Sequence, residues 1–120
     1  MPKPARQLLE ALDARERSLR QKIAERRDAL DVIANPPDPA GDIADQAFGR
    51  VRAEVEHDLI EMSLQELAEI AAVRERFANG TYGECTDCGE PIPEARLEVN
   101  PTARRCAACQ ERHEKLTGSV

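Results

Sequence analysis

The chain has 120 residues, of which 33% are charged and 2% aromatic, with no tryptophan. The length allows one compact domain, or one elongated element plus a very small domain, and the composition, which argues against a thick globular core, favours the second. The formal net charge of −6 argues against broad electrostatic binding to DNA or RNA, which needs clustered Lys and Arg on the phosphates.

The opening stretch MPKPARQLLEALDARERSLR has no apolar core or cleavage-like site of a secretory signal. No run approaches the roughly 18 apolar residues of a membrane span. The expectation is a cytoplasmic protein. In that reducing compartment four cysteines point to metal or redox chemistry before stable disulfides.

Residues 5–34 contain neither Gly nor Pro, and Ala5, Leu9, Leu12, Glu16, Leu19, Ile23, Arg26, Leu30 and Ile33 follow alternating steps of four and three. Seven of these nine are apolar. The spacing predicts a coiled-coil seam on a helix about 45 Å long, with Glu16 and Arg26 as polar seam positions that help to set register. NPPDPAG then stops the helix, because proline breaks the hydrogen-bond ladder and pushes its predecessor toward extended backbone.

A second helix is expected over 43–78. Its apolar positions Phe48, Val51, Val55, Leu59, Met62, Ile70, Val73 and Phe77 read as one broad stripe facing the first helix. Ile60, Leu64, Leu67 and Ala71 form a second stripe in the later half, as for a helix leaving its partner to contact a base. A short turn requires the two helices to run antiparallel. Asn79-Gly80 supplies a C-cap, and CQERHEKL predicts a short final helix. The fold class is therefore mostly α: an antiparallel two-helix coiled coil over 1–78 with its tip at 35–47, and a small four-cysteine zinc-finger base over 79–120 with a C-terminal helix.

Cys85, Cys88, Cys106 and Cys109 form two CxxC pairs separated by seventeen residues. Each pair turns two sulfurs to one side of a tight loop, and two such loops complete a tetrahedron around Zn²⁺. With all four positions taken by protein, no place remains for water or substrate, so one structural zinc is expected. Arg104 and Arg105 are candidates to compensate the charge of four thiolates, and His113 reads as a surface residue. Two short disulfides, or a redox CxxC, are the competing readings. The first needs an oxidising compartment and the second a βαβ setting that the sequence lacks. His57 has no arguable partner, and no nucleophile–base pair or phosphate-cradling loop appears. The expectation is a protein that is not an enzyme.

At the predicted tip, Asp42 and Asp45 stand three residues apart on one helical face. Spacing alone favours capping: Asp is a good N-cap, and an acid at N3 suits the positive end of the helix.

FANGTYGECTDCGEPIPEARLEVNPTARRCAAC, with Gly80, Tyr82-Gly83, CxxCG, Ile92, Arg96-Leu97, Pro101 and the second CxxC in place, resembles the zinc-finger region of the DksA/TraR family. The likeness extends without a gap to Asp42-Ile43-Ala44-Asp45-Gln46-Ala47, which is similar to the family's DxxDxA tip motif. The resemblance implies a regulator that binds bacterial RNA polymerase directly, without reading DNA sequence. It implies that the coiled coil enters the secondary channel, where Asp42, Asp45 and Ala47 act near the active centre on open-complex lifetime and initiation. A monomer with one structural Zn²⁺ is expected. Members that share the alarmone ppGpp with polymerase carry basic residues around the helix–finger junction. Here the matching positions hold Glu69, Asn100 and Gln110, with Arg96 retained, so ppGpp potentiation is expected to be reduced or absent. The readings from other classes are a zinc-ribbon nucleic-acid-binding protein, a thiol oxidoreductase and a structural adaptor.

Overall fold

The computed structural model describes residues 3–36 and 43–117. Among the described residues four helices follow in order: α1 (Lys3–Ala34), α2 (Ile43–Asn79), α3 (Glu94–Val99) and α4 (Ala107–Leu116). No named strand occurs among the described residues; a single antiparallel bridge joins Glu84 and Pro91. None of these helices is long and apolar enough to cross a membrane. The chain divides into two compact units, 1–68 and 69–120, so α2 contributes its first two-thirds to one and its last turns to the other.

In the first unit α1 and α2 pair antiparallel. Three cross-helix contacts fix the register: Arg15 to Glu66, with Nη2 2.9 Å from Oε1, Arg26 to Glu56 at 3.0 Å, and Ile33 beside Gly49. The partner number falls as the α1 number rises. All nine expected seam positions of α1 are turned from solvent, with Leu12, Leu19 and Ile23 fully buried. Polar Arg26 meets polar Glu56 in the half-buried seam, which ties the register to an ion pair. Glu16 instead binds Arg20 one turn along α1.

The expected α2 stripe is corrected at its tip half. Phe48, Val51, Val55 and Met62 are 74%, 59%, 50% and 64% exposed. Within the first unit, Gly49, Ala53, Glu56, Ile60, Ser63 and Leu67 face inward, spaced alternately by four and three, with Leu59 of the expected stripe and Glu66 half-buried beside them. This seam is mostly small or polar, which lets two helices approach closely, whereas the bulkier set points outward. Leu64 and Ala71 of the second expected stripe are exposed as well, while Ile60 is buried and Leu67 half-buried.

The second unit begins with the last turns of α2, where Ile70 and Val73 are almost completely buried. The helix ends as a Schellman motif: Gly80 is left-handed at φ +74°, Thr81 N–H donates to the Arg76 carbonyl at 2.8 Å, and Gly80 N–H donates to Phe77 at 3.2 Å. Phe77 stacks on Tyr82 with ring centroids 4.1 Å apart, and the Tyr82 hydroxyl donates to the Pro101 carbonyl at 3.0 Å. Helix α3, which periodicity did not reveal, follows Pro93 and places Leu97 against the cluster of Cys85, Ile92 and Cys109.

Gly49 tests the seam. A methyl group built there meets Ile33 Cγ2 at 3.6 Å, an ordinary contact, while glycine inside a helix costs about 1 kcal/mol relative to alanine. Gly49→Ala is therefore expected to stabilise the helical pair by up to about 1 kcal/mol, measured as a rise in thermal or urea midpoint. A loss of stability would place the seam elsewhere.

Candidate functional site

The two CxxC loops are built by backbone before side chains enter. Cys85 N–H donates to the Glu90 carbonyl at 2.8 Å, and Gly89 N–H returns to the Cys85 carbonyl at 2.9 Å. Gly89 adopts φ +76° to close this turn, a conformation that glycine enters without a Cβ clash. The second loop feeds α4, with Cys106 at its N-cap and Cys109 in its first turn. Three-residue spacing puts both on one face, at the N-terminal end of the helix. Thr86 N–H donates to the Arg104 carbonyl at 2.8 Å and ties one loop to the other.

The four sulfur atoms lie within 4.8 Å of one another, and Cys88 and Cys106 are separated by 4.0 Å. A tetrahedral zinc with bonds of about 2.3 Å sets its sulfurs about 3.8 Å apart, so the set fits one Zn²⁺. All four cysteines are free, and these distances are far from the roughly 2.05 Å of a disulfide. His113 lies half-buried in the last turn of α4 and does not belong to the four-sulfur group.

Sulfurs this close compete for charge. Backbone N–H groups, first that of Cys88 and then those of Cys106 and Asp87, pull the Cys85 thiol down to about 6. Cys109, which shares its proton with the Cys106 and Cys85 sulfurs, is pushed up to about 12. A divalent cation resolves this conflict by neutralising the thiolates together. Cys85, Cys88, Cys106 and Cys109 would hold zinc, and the metal would supply cross-linking of the two loops.

The compensation expected from Arg104 and Arg105 takes a different form. Arg105 Nε donates to Asp87 Oδ2 at 2.9 Å, so the arginine beside the second pair is neutralised by the aspartate inside the first. Arg96 Nε donates to the Arg105 carbonyl at 3.0 Å and supports the same strut from α3. Arg104 is exposed, and its backbone makes the contact to Thr86. Sequence reasoning missed the Asp87–Arg105 pair. Its signal was a charged residue within or beside each loop, which carries no pairing information until the loops are brought together.

At the other site, α2 starts at Ile43 and Asp45 lies exposed in its first turn, with Ala47 exposed beyond it. Asp45 and Phe48 line an open groove with Ile33 and Arg50 in the first unit. Asp42 lies outside the described residues. At the helix–finger junction, Thr102 Oγ1 is 3.0 Å from Asn100 Oδ1 and 3.4 Å from Glu69 Oε2, while Gln110 binds Glu114 at 3.1 Å. Arg76 reaches the Thr102 carbonyl at 3.5 Å.

Residues 80–115 match the family model of the prokaryotic dksA/traR C4-type zinc finger. The structure is similar to that of transcription factor DksA2 from Pseudomonas aeruginosa, with a TM-score of 0.75 and 31% identity over 91% of this chain and 81% of that one. The chain belongs to the DksA/TraR family. An RNA polymerase-binding transcription factor DksA from Caulobacter vibrioides is 31% identical over 93 residues, which cover 78% of this chain and 66% of the relative. The chain thus spans just under two-thirds of that relative's length. An uncharacterized protein of Aquifex aeolicus is 42% identical over 62 residues, 52% of this chain and 43% of its own. With the family model and the four close sulfurs together, the cysteine module is a C4-type zinc finger suited to one structural zinc.

Removing zinc has a predictable pH dependence. Binding displaces the proton of Cys109, held up to about 12, and below about pH 6 that of Cys85 as well, so apparent affinity is expected to fall with acid, more steeply below about pH 6. Chelator should unfold the finger and release one zinc per chain. Titration with a chromogenic chelator and circular dichroism would follow both. A finger that stays folded without metal would contradict this assignment.

Proposed function

We propose that the chain is a transcription regulator that binds bacterial RNA polymerase directly and acts on initiation by contact, without catalysis of its own. The tip residues Asp42, Asp45 and Ala47 enter the secondary channel and act near the active centre. The zinc is structural. The observation that carries this reading is the likeness to proteins named as DksA, including one named RNA polymerase-binding, over both helical and cysteine-bearing sequence. The exposed carboxylate in the first turn of α2 supports the tip role, because a charge held at a helix start meets a partner with little reorganisation. The net charge of −6 supports a protein partner over sequence-specific DNA.

Asp45→Asn separates contact from fold. Removing one negative charge from the first turn of a helix costs about 0.3–1 kcal/mol, so the variant is expected to fold and to bind polymerase. It is expected to lose its effect on a sensitive promoter in a purified transcription assay. Unchanged regulation by this variant would remove Asp45 from the mechanism.

Potentiation by ppGpp is proposed to be weak. Glu69 and Asn100 converge on Thr102, so an acid and an amide stand where a polyphosphate needs cations. In the same assay, adding ppGpp is expected to change the regulator's effect less than about twofold, under about 0.5 kcal/mol of coupling. A change of about tenfold would show that other cations, Arg76 among them, serve instead.

A further inference from the structure

The first unit exposes an apolar row that its own seam does not use. Phe48, Val55 and Met62 recur every seven residues along α2, and Val51 lies beside them. Each is at least half exposed. The row lies roughly a third of the way round the helix from the seam of Gly49, Ala53, Glu56, Ile60, Ser63 and Leu67. Single exposed apolar residues need no explanation. A heptad-spaced row about 21 Å long is different, since it is the pattern by which one helix receives another.

Charge beside the row selects the occupant. Glu54, Asp58 and Glu61 are exposed along its border on the side away from α1, while Arg52 is exposed on the border nearer the seam. A second copy would set this acidic border against an acidic surface, on a chain whose net charge is already −6. A helix with an apolar ridge edged by Lys or Arg meets both features. We infer that Phe48, Val51, Val55 and Met62 dock an amphipathic, basic-edged helix of a protein partner, with Glu54, Asp58 and Glu61 fixing its orientation. The inference rests on the proposed function in taking RNA polymerase as the protein that supplies the helix. The docking row gives affinity along α2, whereas Asp45 acts at its start.

The test uses the zinc-loaded full chain and purified bacterial RNA polymerase, with binding followed by fluorescence anisotropy. One variant carries Phe48→Ser, Val55→Ser and Met62→Ser; a second carries Glu54→Lys, Asp58→Lys and Glu61→Lys. All six positions are outside the helical seam, and circular dichroism checks the fold of each. Both variants are expected to bind about tenfold or more weakly. The charge-reversed variant keeps the test open if the serine variant misfolds, and its defect should shrink as salt is raised. Wild-type affinity in both variants overturns the docking row and leaves the proposed function standing. No binding by the wild-type chain overturns both. A wild-type dimer that sedimentation shows converted to monomer by the serine variant would assign the row to a second copy instead.

Discussion

Four sulfurs held within 4.8 Å of one another are the constraint on which the second unit depends. Thiolates at that spacing repel, and in the absence of a cation they divide into one thiol pulled toward acidity and another pushed away from it. Few other side chains hold the module. Apart from Cys85 and Cys109, only Ile92 and Ala103 are fully buried among the described residues of the finger. A structural zinc contributes on the order of 10–16 kcal/mol in zinc-finger peptides, against about 1.5–3 kcal/mol for one large buried aliphatic side chain. The Asp87–Arg105 ion pair and the Thr86–Arg104 backbone bond hold the same two loops together, but they orient the ligands more than they replace the metal.

The first unit is held in a different way. Its helices share small and polar residues on the α2 side, with Leu12, Leu19 and Ile23 giving most of the fully buried apolar surface from α1. Arg26 and Glu56 meet in that half-buried seam, where a slip in register would leave both unpaired at greater cost than the pair itself contributes. A thin pair of helices follows, and its surplus apolar residues face outward. For a protein proposed to work by entering a narrow channel, slenderness and an outward apolar row serve one purpose: little width, and a side on which to be held.

Much of this was legible in the sequence, for reasons that can be named. The four-and-three spacing of α1 located its seam because apolar residues there are sparse among charges, and sparse signals have one phase. The two CxxC pairs located the metal site because sulfur spacing constrains chemistry directly. Asn79-Gly80 located the end of α2, as the Schellman bonds bear out. The seam of α2 was illegible because that helix carries two heptad phases. The bulkier phase, Phe48–Val55–Met62, was expected to face inward, yet close approach of two helices selects the smaller one. Helix α3 was missed because six residues are too few for periodicity. The struts from Arg96 to Arg105 and from Arg105 to Asp87 join residues whose nearness depends on folding around the metal.

The central claim is that the start of α2 works inside the polymerase. A photo-reactive side chain in place of Ala47, on the zinc-loaded chain bound to purified RNA polymerase, would report its surroundings directly. Cross-links confined to polymerase peptides that line the secondary channel near the active centre are the predicted result. Cross-links to DNA or to the outer surface of the polymerase, from a chain that binds with wild-type affinity, would contradict it.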